Sequence, residues 1–335
     1  MKGVIDSPDI PLNVSRSALQ SDRRVKSIGN FIAKKLADKL KTLKKDQTQF
    51  YADIWDSIAP FIKIGAMEDE KFAEQVKEII LYSTTKNTSA DNEENNELIK
   101  SGSKTFTTLE AYKNRLTDEN KKVLYSTDEV SQSTALNMWT SQGKEVLKLD
   151  TVIDTQFIPW LEEKNKEINF VRVDSELDES IKDDSPEIAD KDGNTKSESL
   201  KKIIGSALNN EKVTVQVQSL KGENSPPSLI LLPEQMRRIN DITALMEQKL
   251  PGLPEYHNLI VNSNHPLIQG LLKLNSNPIV IEGSSKSEES QLAIDIAIHV
   301  YEMAKLSIGG LDIKDIAAVQ ARNSEGLGKL MQKFV

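Results

Sequence analysis

Apolar and polar positions alternate along the chain with two periods, and the period predicts the elements. Val25, Ile28, Phe31, Ile32, Leu36, Leu40 and Leu43 recur at helical spacing, with Lys34, Lys35, Lys39, Lys41, Lys44 and Lys45 on the other side. One basic, amphipathic helix is therefore expected over residues 21–45. Residues 46–82 read as two or three short helices carrying Phe50, Ile54, Trp55, Ile58, Phe61 and Ile62, then Phe72, Val76, Ile79, Ile80 and Leu81. Pro60 and Gly65 are expected to break these runs. Residues 83–104 are rich in Asn, Glu and Ser, have almost no apolar anchor, and read as a loop.

Beyond that loop, helix and strand patterns take turns. A helix from Thr108 to Leu116, a strand over Val123-Leu124-Tyr125 and a helix from about Asp128 to Gln142 come first. A strand from Glu145 to Leu149, a helix over 153–164 and a strand from Ile168 to Val173 follow. This alternation predicts a small parallel sheet covered on both faces. Residues 174–199 hold Asp174, Glu176, Asp178, Glu179, Asp183, Asp184, Glu187, Asp190 and Asp192 among few apolar residues, and read as an acidic linker.

A new domain is expected after it. Leu200 to Leu208 is a short helix, Val213-Val215-Val217 alternates as a strand, and Leu229 to Leu232 forms another. Pro233 opens a helix to about Lys249 that carries Met236, Ile239, Ile242, Leu245 and Met246. Leu259 to Val261 is a strand, and His265-Pro266 opens a helix to Leu274. Near the end, Leu292, Ile296, His299, Met303 and Leu306 recur at spacings 4, 3, 4, 3, while Ile294, Ala297, Ile298 and Tyr301 line a second apolar face. Gly309-Gly310 ends this helix, and Asp312 caps the next, which carries Leu327, Leu330, Met331 and Phe334. Two apolar faces on one helix suit either a helix pair in the core of a monomer or a second chain that covers one of them.

The fold class is thus α/β in an α+β multidomain arrangement, in segments 1–45, 46–82, 83–173, 174–199 and 200–335. The length of 335 residues suits two or three domains. A net charge of −8 argues against nucleic acid as a partner, since phosphate binding needs a basic footprint. With no cysteine there is no disulfide, thiolate metal site or cysteine nucleophile. No apolar run approaches the ~20 residues of a membrane span, and Met1-Lys2-Gly3 lacks the apolar stretch of a signal peptide, so the cytoplasm is the expected location.

Chemistry is sparse. His257, His265 and His299 lack metal-ligand spacing, and the acidic linker does not match a calcium loop. No Gly-rich phosphate loop joins any strand to its helix, which disfavours a dinucleotide enzyme built on residues 105–174. The first twenty residues are different. Gly3 to Pro11 holds a Gly, two Pro and two Asp, the composition of an irregular loop. Asn13 or Ser15 can cap a following helix. Arg16 then lies by the first turn, where an anion is favoured, and Gln20 lies four residues on over the same face. Read alone, Arg16 is either a surface cation or an anion contact.

The string Gly3-Val4-Ile5-Asp6-Ser7-Pro8-Asp9-Ile10-Pro11-Leu12-Asn13-Val14-Ser15-Arg16 through Leu19-Gln20 resembles the catalytic loop of the heat-shock protein 90 chaperones, bacterial HtpG type. Asn258 to Asn262 followed by His265-Pro266-Leu267 resembles the C-terminal domain of the same family. The resemblance implies that Arg16 and Gln20 reach the γ-phosphate of ATP held by a separate N-terminal domain, with Asn13 positioning the loop. It also implies that the Mg²⁺ site belongs to that domain, so this chain reads as a fragment that is inactive alone. The family forms homodimers through its terminal helices, which implies a dimer interface of Leu292, Ile296, His299, Met303, Leu306, Leu327, Leu330 and Met331. Met-rich amphipathic surfaces suit promiscuous binding, which makes Phe157, Trp160, Met236, Ile239 and Met246 candidates for contact with non-native client proteins. The alternative is an ATP-independent dimeric scaffold.

Overall fold

The computed structural model describes residues 23–87, 98–116, 121–175, 177, 182–183, 195–222, 225–231, 256–276, 286–308, 310–311 and 313–332. The loop residues Asn13, Arg16 and Gln20, the helix expected from Pro233 with Met236, Ile239 and Met246, and Asp312 lie outside them. The chain forms two compact units, Met1–Lys121 with Gln156–Lys164, and Lys122–Thr155 with Asn165–Val335.

In the first unit, α1 (Arg23–Asp46) turns Ala37 and Leu40 inward. Gln47 alone separates it from α2 (Thr48–Glu68), and Asp69 separates α2 from α3 (Glu70–Val76). The Asp69 carboxylate caps α3 by accepting from the Phe72 N–H at 3.0 Å. The expected breaks at Pro60 and Gly65 do not occur, and α2 runs through both. Proline removes one intrahelical bond, whereas Tyr51, Trp55, Ala59, Ile62 and Ala66 are all buried along one face, and that packing outweighs the lost bond. Three strands follow in the order β2-β3-β1: β1 (Tyr82–Thr84), β2 (Ile99–Ser101) and β3 (Lys104–Thr107), all antiparallel. The stretch expected as loop to residue 104 therefore ends in a strand, with Ile99 opposite Phe106 and Gly102 at a φ of 58° in the turn. Thr108 caps α4 (Leu109–Asn114), accepting from the Ala111 N–H at 3.2 Å.

The second unit opens with β4 (Lys122–Ser126), α5 (Ser133–Ser141), β5 (Leu147–Lys148), α6 (Asp154–Lys164) and β6 (Asn169–Arg172), of which Gln156–Lys164 belongs to the first unit. β4 pairs in parallel with both β5 and β6, as the alternating pattern predicts. Val123, Leu124 and Tyr125 are all buried, as in a strand covered on both faces. α5 begins at Ser133, later than the expected Asp128. Side chains hold the intervening residues in a turn. Gln132 Oε1 accepts from the Ser126 hydroxyl (2.8 Å) and the Thr127 N–H (2.9 Å), and Asp128 accepts from the Val130 N–H and the Ser131 hydroxyl. Arg172 and Asp174 form a buried ion pair, and Gln132 Nε2 donates to Asp174 at 3.2 Å. The Trp139 indole N–H donates to the Val173 carbonyl at 2.9 Å, tying α5 to the end of β6.

A capping box opens α7 (Lys196–Leu208), Thr195 and Glu198 each accepting from the other's backbone N–H, and Asn209 ends it in the left-handed region at φ 40°. β7 (Val213–Gln218), β8 (Ser228–Leu231) and β9 (His257–Asn262) form a mixed sheet in the order β7-β9-β8. α8 (Pro266–Ser276) starts with His265 Nδ1 accepting from the Leu267 N–H at 3.2 Å. The chain closes with α9 (Lys286–Ser307) and α10 (Ile313–Gln332). Leu124, Trp139, Leu229 and Ile260 share one core of this unit, and Leu200, Ile204, Leu259 and Ile268 share another.

Candidate functional site

α9 meets its own domain through Ala293, Ala297, Val300 and Ala304, all buried and spaced 4, 3 and 4 residues apart. These small side chains bring the helix close to β8, where the Ser228 hydroxyl donates to the Val300 carbonyl at 2.9 Å. Leu292, Ile296, His299 and Met303 each sit one residue before a core position, so their stripe is turned by roughly 100° around the helix. Leu292, His299 and Met303 are half-buried, and Leu306 at the end of the stripe is 52% exposed. Ile296 and Tyr301 pack in part against the core. Ala297, expected on the second apolar face, belongs to the core face, because alanine permits the closest approach.

Across α9 from the alanines lies Glu302, only 8% exposed, paired with Arg322 of α10. Its other oxygen, Oε2, and the Nδ1 of His299 one turn earlier are buried without a hydrogen-bond partner in the structure. The expected pattern of apolar positions did not single out this ion pair, since a lone Glu in a helix reads as surface. On α10, Val319 is buried, while Ile316 and Met331 are exposed, Met331 by 66%. Leu327 and Leu330 lie on the same helix, with side chains outside the described residues.

In the first unit, α6 brings Phe157 and Trp160 together, their rings stacked at 5.2 Å and 17°. Phe157 is fully buried, with the Lys63 ammonium 5.5 Å from its ring. It therefore offers no surface to a client, because its ring is used inside the unit. Trp160 is half-buried. Lys164, one turn on, donates to Glu70 at 2.7 Å, and this exposed pair lowers the Glu70 pKa and raises that of Lys164. Among the described residues, no group of three or more His, Asp or Glu is placed to hold a metal ion, and no helix is long and apolar enough to cross a membrane.

The molecule is thus a two-unit α+β protein whose terminal helix pair carries exposed apolar side chains. A family model described as Hsp90 protein matches residues 1–332, and the chain belongs to that family. The resemblance carried by the loop Gly3–Gln20 is borne out. The chain is 34% identical over 285 residues to Chaperone protein HtpG of Porphyromonas gingivalis, covering 81% of this chain and 39% of that protein. It is 33% identical over 283 residues to Chaperone protein HtpG of Bacteroides thetaiotaomicron, with the same coverage, and 29% identical over 282 residues to that of Idiomarina loihiensis, covering 81% and 41%. It spans about two-fifths of the length of these curated relatives.

Proposed function

We propose that this chain is part of an ATP-dependent molecular chaperone that binds non-native proteins. The observation that carries the reading is the family match over residues 1–332, joined to the loop at Asn13, Arg16 and Gln20. The chain would contribute that loop, a client surface that includes Trp160, and a homodimer seam on α9 and α10. ATP and Mg²⁺ would be held by an N-terminal domain, and the bound nucleotide would supply the phosphoryl group whose hydrolysis drives the cycle. An arginine at the position of Arg16 would stabilise charge developing on that group, as arginine fingers do in phosphoryl transfer. Gln20 would orient the same phosphate by a hydrogen bond, and Asn13 would fix the loop. Closure of the N-terminal domain onto the loop would couple hydrolysis to a clamp motion in the cytoplasmic dimer.

Steady-state ATPase of the intact protein tests this. Arg16→Ala should lower kcat at least ~10-fold with nucleotide affinity little changed, because the contact is made in the transition state. An unchanged kcat with an intact dimer would leave an ATP-independent scaffold.

A further inference from the structure

α2 is apolar on two opposite faces. One carries the buried core residues Tyr51, Trp55, Ala59, Ile62 and Ala66. On the other, Phe50, Ile54, Phe61 and Ile64 follow at spacings of 4, 7 and 3 residues, which aligns them along the helix. Phe61 is 75% exposed, Phe50 52% and Ile64 39%. The stripe runs about 21 Å, at 1.5 Å per residue. Single exposed apolar residues are ordinary on a protein surface, whereas two exposed phenyl rings and an isoleucine on one line form a patch.

The exposed charges that α2 itself carries all have one sign. α2 carries the carboxylates Asp53, Asp56 and Glu68, and its single cation, Lys63, is buried on the core side. Asp56 is paired with Lys104 at 2.6 Å. Asp53 accepts from the Ser101 hydroxyl at 2.6 Å and the Gln49 amide at 2.9 Å, neutral donors that leave its charge in place and draw its pKa below the usual carboxylate value. Glu68 and Asp53 thus border the stripe as anions.

We propose that this outward face of α2 docks non-native polypeptide segments that combine apolar and cationic residues, a reading that rests on the chaperone function proposed above. Acidic borders attract a cationic partner and repel an acidic one. A second copy is a poor occupant. A two-fold interface would set the same acidic face against itself, and four side chains cover far less than the ~800 Å² per partner of a stable interface. The small area suits transient engagement of a short segment.

The test uses the intact protein and two fluorescent peptides of the same apolar composition, one lysine-rich and one glutamate-rich. Wild type should bind the lysine-rich peptide at least ~10-fold more tightly, with affinity falling as salt rises. Phe50→Ser with Phe61→Ser, both at exposed positions, should weaken that binding at least ~10-fold while an unfolded protein still binds elsewhere. Equal binding of the two peptides, or an unaffected double variant, would overturn the docking face alone. A wild type that binds neither peptide nor any unfolded protein would overturn the chaperone reading itself. The chain has no cysteine, so Phe61→Cys in an otherwise cysteine-free intact protein reports access directly. Rapid maleimide labelling that the lysine-rich peptide slows is expected. Blocked labelling without peptide would mean that the protein itself covers the face, and would refute the proposal.

Discussion

Leu306 provides the sharpest check on the proposed dimer seam. It closes the outward stripe of α9 and leaves 52% of its surface exposed in the single chain. Full burial of a leucine side chain is worth about 1.5–3 kcal/mol, so covering the exposed half contributes about 1 kcal/mol. A two-fold interface counts each position twice, and Leu306→Ala should therefore weaken the dimer by about 2 kcal/mol, roughly 30-fold in Kd. The protomer should barely change, since an exposed substitution usually stays within about 0.5 kcal/mol. Sedimentation over a dilution series reads the Kd, and the Tm read on the monomeric fraction reports the protomer. Val130→Ala is the control: Val130 is 83% exposed and lies outside the terminal helices. A Kd within twofold of wild type for Leu306→Ala, with the protomer folded, would remove α9 from the seam. A fall in protomer Tm instead would mean that Leu306 supports its own domain.

Two stability predictions concern the first unit. A Cβ at Gly65 would lie 2.9 Å from Cε1 of the buried Phe72 ring. Gly65→Ala gains about 1 kcal/mol of helix propensity but overpacks at a cost of about 1–3 kcal/mol, so a lower Tm is expected and a higher one would show that the ring yields. Tyr51 donates its phenol proton to the Ile79 carbonyl at 3.0 Å, and burial pushes its pKa well above the ordinary value. Tyr51→Phe should cost about 1 kcal/mol at neutral pH. Because the folded-state pKa is raised, that contribution is complete below the ordinary value of about 10 and is lost as pH rises through the folded one. The stability gap between wild type and Tyr51→Phe should hold below about pH 10 and narrow above it. A gap that widens with alkali would contradict the burial argument.

Elements whose signal is local were legible from the chain alone. The helical spacing from Val25 to Leu43 marks α1, and the strand–helix alternation from Val123 to Val173 marks the parallel strands β4, β5 and β6. The eighteen-residue string Gly3–Gln20 pointed to the family, because a run of that length is far more specific than a short motif. Burial is a different kind of property, since it depends on which surfaces meet. Pro60 and Gly65 read as breakers, yet a continuous buried face carries α2 through them. Ile99 sits at the end of a polar stretch and becomes strand only because Phe106 pairs with it. Phe157, an apparent contact surface, is withdrawn into the first unit beneath Lys63. On α9, apolar residues occur on several sides. Packing against β8 selected the alanines for the core and turned Leu306 outward, because only small side chains let a helix lie that close to a sheet.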